Sequence, residues 1–368
     1  MAEKQPVILV TGANRGIGFL IIKKLVENSS SNNDIILLGS RDLKRGHDAF
    51  IQLNSPSNVH VLQLDTSSQD SISCAIDEIK KKYGGQIDIV INNAAILTQE
   101  ITVDTARALF NTNYYGVKIL NEHLICMIRE NGRIINVSSR VGVNILQDIT
   151  PALRQKYISS TLTKEKLDQL VEDFISAIET NTLENIGYNL KSEALVYGVT
   201  KMALNALTQI EAREWSTTKN LVIVSVTPGF CSTDMNQHAS EARPAELGAD
   251  SILYVVNAHQ NELINGAFYR DGAIIEPEKW TCDNKTLIAS EHVCQVTKFF
   301  EQININHHTY HLDKVTGSSE GFLSNTSKYL LADAIVESGK TAQENNLEIW
   351  KIIVPRGQIH IGLYGCLN

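Results

Sequence analysis

The chain has 368 residues, 43% hydrophobic and 20% charged, with a formal net charge of −8. This balance is that of a water-exposed folded protein, long enough for one large α/β domain with an appendage or for two domains. The acidic surplus argues against nucleic acid as a partner, and no apolar run approaches the ~20 residues of a membrane span.

The amino terminus, MAEKQPVILVTG, has no secretory-type apolar stretch. Val7–Val10 reads as a first strand, and Gly16–Asn28 as the helix after it. Between them LVTGANRGIG places Thr11, Gly12, Gly16 and Gly18 where backbone N–H groups and a helix amino terminus can cradle a pyrophosphate. The second strand, Ile35–Gly39, ends in Ser40 and Arg41, where an acid would stand if the ribose hydroxyls of NAD were bound there. Arg41 and Arg15 can instead grip a 2′-phosphate, which points to NADPH; the alternative is that Arg41 pairs with Asp42 or faces solvent.

A third strand, Val59–Leu64, leads to Asp65 and a helix over Ser67–Lys82; a fourth, Ile87–Asn92, leads to a helix over Ala106–Glu130. Strands over Arg133–Ser138 and Leu221–Val226 follow, with a long helix, Ala194–Trp215, before the last. Apolar strands separated by helical patterns imply a doubly wound, Rossmann-type parallel sheet. Residues 147–190 interrupt the alternation as a helical insert, with a 3.6-residue period at Leu167, Leu170, Val171, Phe174, Ile175 and Ile178. The division expected is a first domain over 1–280 and a carboxy-terminal extension of unknown fold over 281–368. In that extension His307, His308 and His311 lack a fourth ligand at suitable spacing, so no metal is assigned. The six cysteines (Cys74, Cys126, Cys231, Cys282, Cys294, Cys366) have no Cys-x-x-Cys spacing and fit reduced thiols in the cytoplasm.

Tyr197 and Lys201, in YGVTK, stand one helical turn apart on a single face. By itself that spacing occurs by chance in many helices, where it is surface decoration. Together with TGANRGIG, NNAA (Asn92–Ala95), NVSS (Asn136–Ser139) and PGFCSTDM (Pro228–Met235), it resembles the short-chain dehydrogenase/reductase superfamily. The segments LGSRD, NTNYYG, the insert TPALRQKY…LTKEKLDQLVEDF and EKW are most similar to its monomeric carbonyl reductases. The likeness covers roughly residues 5–280.

The resemblance implies NADPH-dependent reduction of quinones, aldehydes and ketones. Tyr197 would be the general acid, Lys201 the cation that lowers its pKa, Ser139 the group polarising the carbonyl, and Asn113 the anchor of a water reaching the lysine. Ser138 is the alternative to Ser139, and a helix-bending role the alternative for Asn113. Gly12, Asn14, Arg15, Gly16, Ile17 and Gly18 would form the cofactor loop. Arg41, Asp65, Asn92, Pro228, Gly229, Thr233, Tyr197 and Lys201 would complete the cofactor site, and Phe230 would wall the substrate with Ser139 and Tyr197. The long interval between Ser139 and Tyr197 implies a monomer. Where mammalian members carry a cysteine before Pro-Gly, this chain has Thr227, with Cys231 four residues on, so glutathione-adduct binding does not carry over. An NADP(H)-binding regulatory protein with little turnover, and an alcohol dehydrogenase working oxidatively, are the competing readings.

Overall fold

The computed structural model describes residues 5–28, 34–275, 351–353 and 360–362. The backbone separates into two compact units, Met1–Trp280 and Thr281–Asn368.

In the first unit the elements run β1 (Val7–Val10), α1 (Gly16–Asn28), β2 (Ile35–Ser40), α2 (Leu43–Gln52), β3 (Val59–Gln63), α3 (Gln69–Lys82) and β4 (Ile87–Asn92). Then come α4 (Val103–Phe110), a π-helical turn (Asn111–Tyr115), α5 (Gly116–Leu124), β5 (Ile128–Val137), α6 (Arg140–Asp148), α7 (Pro151–Tyr157), α8 (Lys164–Glu179) and α9 (Leu195–Lys219). Finally β6 (Val222–Val226), α10 (Ala245–Asn257), β7 (Phe268–Arg270) and β8 (Ala273–Ile274) complete it. The sheet order is β3-β2-β1-β4-β5-β6-β7-β8, parallel from β3 to β7, with β8 an antiparallel edge.

Side-chain alternation along β1 explains the layering. Ile8 and Val10 join the core beneath α1 and α10, whereas Val7 and Leu9 join the core beneath α3 and α5. Burial on both faces is why the strands read as unbroken apolar runs. A third core belongs to the insert: Leu167, Val171, Phe174 and Ile175 pack on Phe110, Tyr114 and the buried face of α9. The Phe110 and Phe174 rings meet edge-on at 5.9 Å, and Tyr114 Oη donates to Asp168 at 2.8 Å. The insert therefore covers the outward side of α4 and α9.

The helix expected over Ala106–Glu130 is two helices joined by the π turn, and it ends at Leu124. β5 begins earlier than expected because its register against β4 jumps from Ile87–Ile128 to Ile89–Arg133. Asn131, in the left-handed region at φ 63°, and Gly132 absorb the extra residues. The sequence reading also passed over α2, whose Asp42 side chain caps it by accepting from Arg45 N at 2.9 Å, and over α10, β7 and β8.

In the second unit, Lys351–Ile353 pairs antiparallel with His360–Gly362. His307, His308 and His311 lie outside the described residues.

Candidate active site

The sheet order reverses direction between β1 and β4, which opens a crevice at the carboxyl ends of the strands. A cleft of about 1240 Å³, solvent mouth included, occupies that crevice. Its floor is the glycine loop. Thr11 Oγ1 accepts from Asn93 N (3.0 Å) and Ala94 N (2.9 Å), and Asn93 Nδ2 donates to Thr11 O at 2.9 Å, tying the loop to the end of β4. Gly12, at φ 61°, passes so near β4 that a Cβ would stand 2.8 Å from Ala94 Cα; on Gly18 a Cβ would stand 2.5 Å from Asn93 Nδ2. At Gly16 the space ahead is open, with Thr233 Cγ2 the nearest atom at 3.8 Å. The cradle thus presents bare backbone to the cleft, the shape a pyrophosphate needs.

The outer end of the cleft is lined by Ser40, Arg41, Asp42, Arg45, Asp65 and Thr66 from the ends of β2 and β3. Arg41 is exposed and, among the described residues, makes no ion pair; Asp42 is engaged in capping α2. Three guanidiniums, those of Arg15, Arg41 and Arg45, line this cleft. The donor set fits a phosphorylated ribose.

At the inner end stand Tyr197 and Lys201, both on α9, with Val137 at the end of β5 and Ser138 just after it. Lys201 is 2% exposed, and its Nζ donates to Val137 O at 2.8 Å. Ser138 turns inward, its hydroxyl donating to Lys201 O at 3.2 Å and its N–H to Val226 O at 2.8 Å. Ser139, half-buried, acts on the Tyr197 phenol by lowering its pKa, and its oxygen caps α6 by accepting from Val141 N at 3.2 Å; Ser138, not Ser139, is the serine lining the cleft.

The electrostatics differ from the expectation that the ammonium lowers the phenol's pKa. Burial pushes Tyr197 up to about 12, offset in part by the Ser139 hydrogen bond. Burial also pushes Lys201 down to about 7, and its Nζ lies 5.8 Å from the centroid of the Tyr197 ring. Desolvation of both groups outweighs their mutual influence. At neutral pH the phenol holds its proton, the form a proton donor requires.

Asn113 is wholly buried in the π turn. Its Oδ1 accepts from Ile96 N at 2.9 Å, and its Nδ2 donates to Ile96 O at 2.9 Å and Thr200 Oγ1 at 3.1 Å. The side chain clamps the segment after β4 to α9, and its bonds go to Ile96 and Thr200 rather than toward Lys201.

The profile of the short chain dehydrogenase family matches residues 6–151. Carbonyl reductase (NADPH) 1 of Sus scrofa is 32% identical over 285 residues, which cover 75% of this chain and 96% of that protein. The Homo sapiens protein of that name is 32% identical over 257 residues, covering 68% and 90%. This chain belongs to the short-chain dehydrogenase/reductase family. Among solved structures, salutaridine reductase from Papaver somniferum superposes with a TM-score of 0.63 at 27% identity, covering 72% of this chain and 99% of that one. Menthone neomenthol reductase from Mentha piperita gives 0.59 at 26% identity, covering 72% and 98%.

Within this dehydrogenase/reductase the cleft gathers Gly12, Asn14, Arg15, Gly16, Ile17, Arg41, Asp65, Tyr197, Lys201, Pro228 and Thr233. Six residues expected at the site do not line the cleft: Ser139, half-buried beside the lining Ser138, and the clamped Asn113, together with four that stand further off. Gly18 is buried behind the loop, Gly229 packs against Arg243, and Phe230 is 54% exposed. Asn92, the fourth, is turned into the core. Its Nδ2 donates to Asn121 Oδ1 and Asn136 Oδ1, both at 2.8 Å. It forms part of a buried chain in which Asn136 donates to Thr208 Oγ1 at 2.9 Å and Asn121 to Glu211 Oε2 at 2.9 Å. Cys231 also faces inward, its thiol donating to Pro228 O at 3.0 Å. Arg45, Thr66, Asn93, Thr112, Asp234 and Met235 line the cleft without having been singled out. The Arg41–Arg45 spacing, one helical turn, was the signal available for the first of these.

Proposed function

We propose that this chain is an NADPH-dependent carbonyl reductase in which Tyr197 is the proton donor. The observation that carries the reading is the single cleft with arginines at one end and the buried Tyr197 and Lys201 at the other. The carbonyl reductases to which the chain is similar carry NADPH in their names. Arg15 and Arg41, with Arg45, would hold the 2′-phosphate, Asp65 the adenine side, and the backbone of Gly12–Gly18 the pyrophosphate. When bound, the cofactor supplies a hydride.

The remaining work falls to the chain. Ser139 and Tyr197 donate hydrogen bonds to the substrate oxygen, orienting the carbonyl and favouring negative charge on it. Tyr197 then passes its proton to that oxygen. Lys201, held by Val137 O at 2.8 Å and titrating near about 7, stands beside the phenol as the group able to carry or release a proton at neutral pH. Asn113 keeps α9 in register with the wall after β4. Met235, an apolar side chain that lines the cleft and is 44% exposed, favours quinones, aromatic aldehydes and ketones over small polar carbonyls.

The insert buries the outward faces of α4 and α9, which supports a monomer, and the free thiols Cys74, Cys126 and Cys231 fit a cytoplasmic location. No helix among the described residues is long and apolar enough to cross a membrane.

The test is loss of reduced-nicotinamide absorbance with a quinone, an aromatic aldehyde and an isatin, using NADPH and NADH in parallel, with light scattering for the mass. Turnover that favours NADPH at least tenfold supports the assignment. Binding of NADPH with no turnover on any of the three would transfer it to a regulatory protein.

A further inference from the structure

Arg15, assigned above to the cofactor phosphate, already has a partner. Its Nη1 donates to Asp234 Oδ2 at 3.1 Å, from the glycine loop on one rim to the segment after β6 on the other. Asp234 does not depend on Arg15 for its position. It opens a short 3₁₀ turn, Asp234–Asn236, in which Thr233 N donates to Asn236 Oδ1 at 3.0 Å and Asn236 Nδ2 to Cys231 O at 2.9 Å. Its second oxygen lies 3.1 Å from His238 Nε2, while His238 Nδ1 faces Ser232 Oγ at 3.2 Å. The carboxylate is thus fixed by its own segment, and both Asp234 and Arg15 line the cofactor cleft.

The side chains of the pair are 64% and 59% exposed. An exposed ion pair of this kind shifts an equilibrium by a few-fold at most, enough to weaken a competitor and too little to exclude it. A dianionic phosphate offers Arg15 more charge and bidentate geometry. A cofactor without the 2′-phosphate makes no claim on Arg15 and leaves the pair intact.

We infer that Asp234 is a specificity-determining residue that occupies Arg15 until the 2′-phosphate displaces it, so that it lowers affinity for 2′-phosphorylated dinucleotides and leaves affinity for the unphosphorylated ones unchanged. The inference rests on the proposed role of Arg15. Asp234 thereby narrows the gap between NADPH and NADH and hastens release of the phosphorylated product cofactor. His238 keeps the displaced carboxylate in place for the return.

The experiment is titration of the full chain with NADPH, NADH and adenosine 2′,5′-bisphosphate, followed by fluorescence, for the wild type, Asp234→Asn, Arg15→Gln and the double variant. Asp234→Asn should tighten NADPH and the bisphosphate about two- to fivefold, the fold-change of an exposed pair, and leave NADH unchanged. The gain should shrink at high salt and vanish in the Arg15→Gln background. Weaker or unchanged binding of NADPH by Asp234→Asn overturns the inference, as does an equal gain with Arg15 absent. Equal loss for NADPH and NADH would make Asp234 a clasp over any bound dinucleotide instead. If Arg15→Gln binds NADPH as the wild type does, the phosphate role of Arg15 falls, and the inference falls with it; the Asp234→Asn result alone leaves that role standing.

Discussion

The two ends of the cleft are built on opposite principles. At the inner end Tyr197 and Lys201 are 8% and 2% exposed, and Ser139 is the cap of a helix; at the outer end Arg15, Arg41 and Arg45 all stand in solvent. Proton transfer needs groups held within a fraction of an ångström in a dry setting, where burial decides which form is charged. Phosphate recognition needs charge that a ligand can reach, and it tolerates loose side chains. The contrast predicts that substitutions inside alter the rate or the fold, whereas those outside alter affinity.

Tyr197→Phe probes the inner end most directly. Loss of the proposed proton donor should lower kcat by about 10²–10⁴-fold while KM for NADPH stays near its original value, measured by steady-state kinetics. A variant that keeps a tenth of the activity would show that another group donates the proton.

Glu211 tests how far the dry interior extends. It is wholly buried on α9, with Oε1 unpartnered among the described residues, and burial pushes its pKa up to about 8. The charged groups around it are Lys164, Glu122 and Glu214, and Lys164 is already paired to Glu214 at 2.8 Å. A carboxyl with a raised folded pKa binds protons more tightly folded than unfolded, so its contribution to stability falls as pH rises from about 4.5 to about 8. Lys201, pushed down to about 7, acts in the opposite direction only above that pH, toward 10.5. Between pH 5 and 7 Glu211→Gln should therefore flatten the decline seen in the wild type, read as urea midpoints across that range. Parallel slopes in the two proteins would place the titration elsewhere.

Gly142→Ala sharpens the comparison through packing alone. A Cβ there would lie 2.5 Å from Met202 N, and forcing α6 from α9 should cost about 1–3 kcal/mol of stability, seen by denaturant unfolding. Arg41→Gln, at the other end, should raise KM for NADPH about tenfold, leave kcat and KM for NADH alone, and leave the unfolding midpoint within error.

The inner end was the more legible in the sequence because its chemistry is local. The one-turn spacing of Tyr197 and Lys201, the glycine loop after β1 and the apolar period of α8 each follow from short-range rules, and each lies in the element expected. What escaped depends on distant parts of the chain. The resemblance carried by NNAA puts Asn92 at the cofactor site; the buried partners Asn121 and Asn136 draw its side chain inward. Burial, set by the whole fold, pushes the Tyr197 phenol up and does not register in a five-residue motif. Asp234 could not be paired with Arg15 from sequence, since 219 positions separate them.

One feature of the inner end bears on how such a protein could be redesigned. Gly198 follows Tyr197 directly, and a Cβ on it would strike Ile145 Cγ1 at 2.4 Å, while Gly142 abuts Met202 N. The helix begun by Ser139 and the helix bearing Tyr197 are thus pressed together at two glycines, Gly142 against backbone and Gly198 against the Ile145 side chain, and the spacing between Ser139 and Tyr197 is set by that close packing. The cleft works as a vice with one cast jaw. New substrates are to be sought by varying the other jaw, the 228–243 segment with its exposed Phe230 and Met235; a library drawn from α6 and α9 would mostly return proteins that no longer fold.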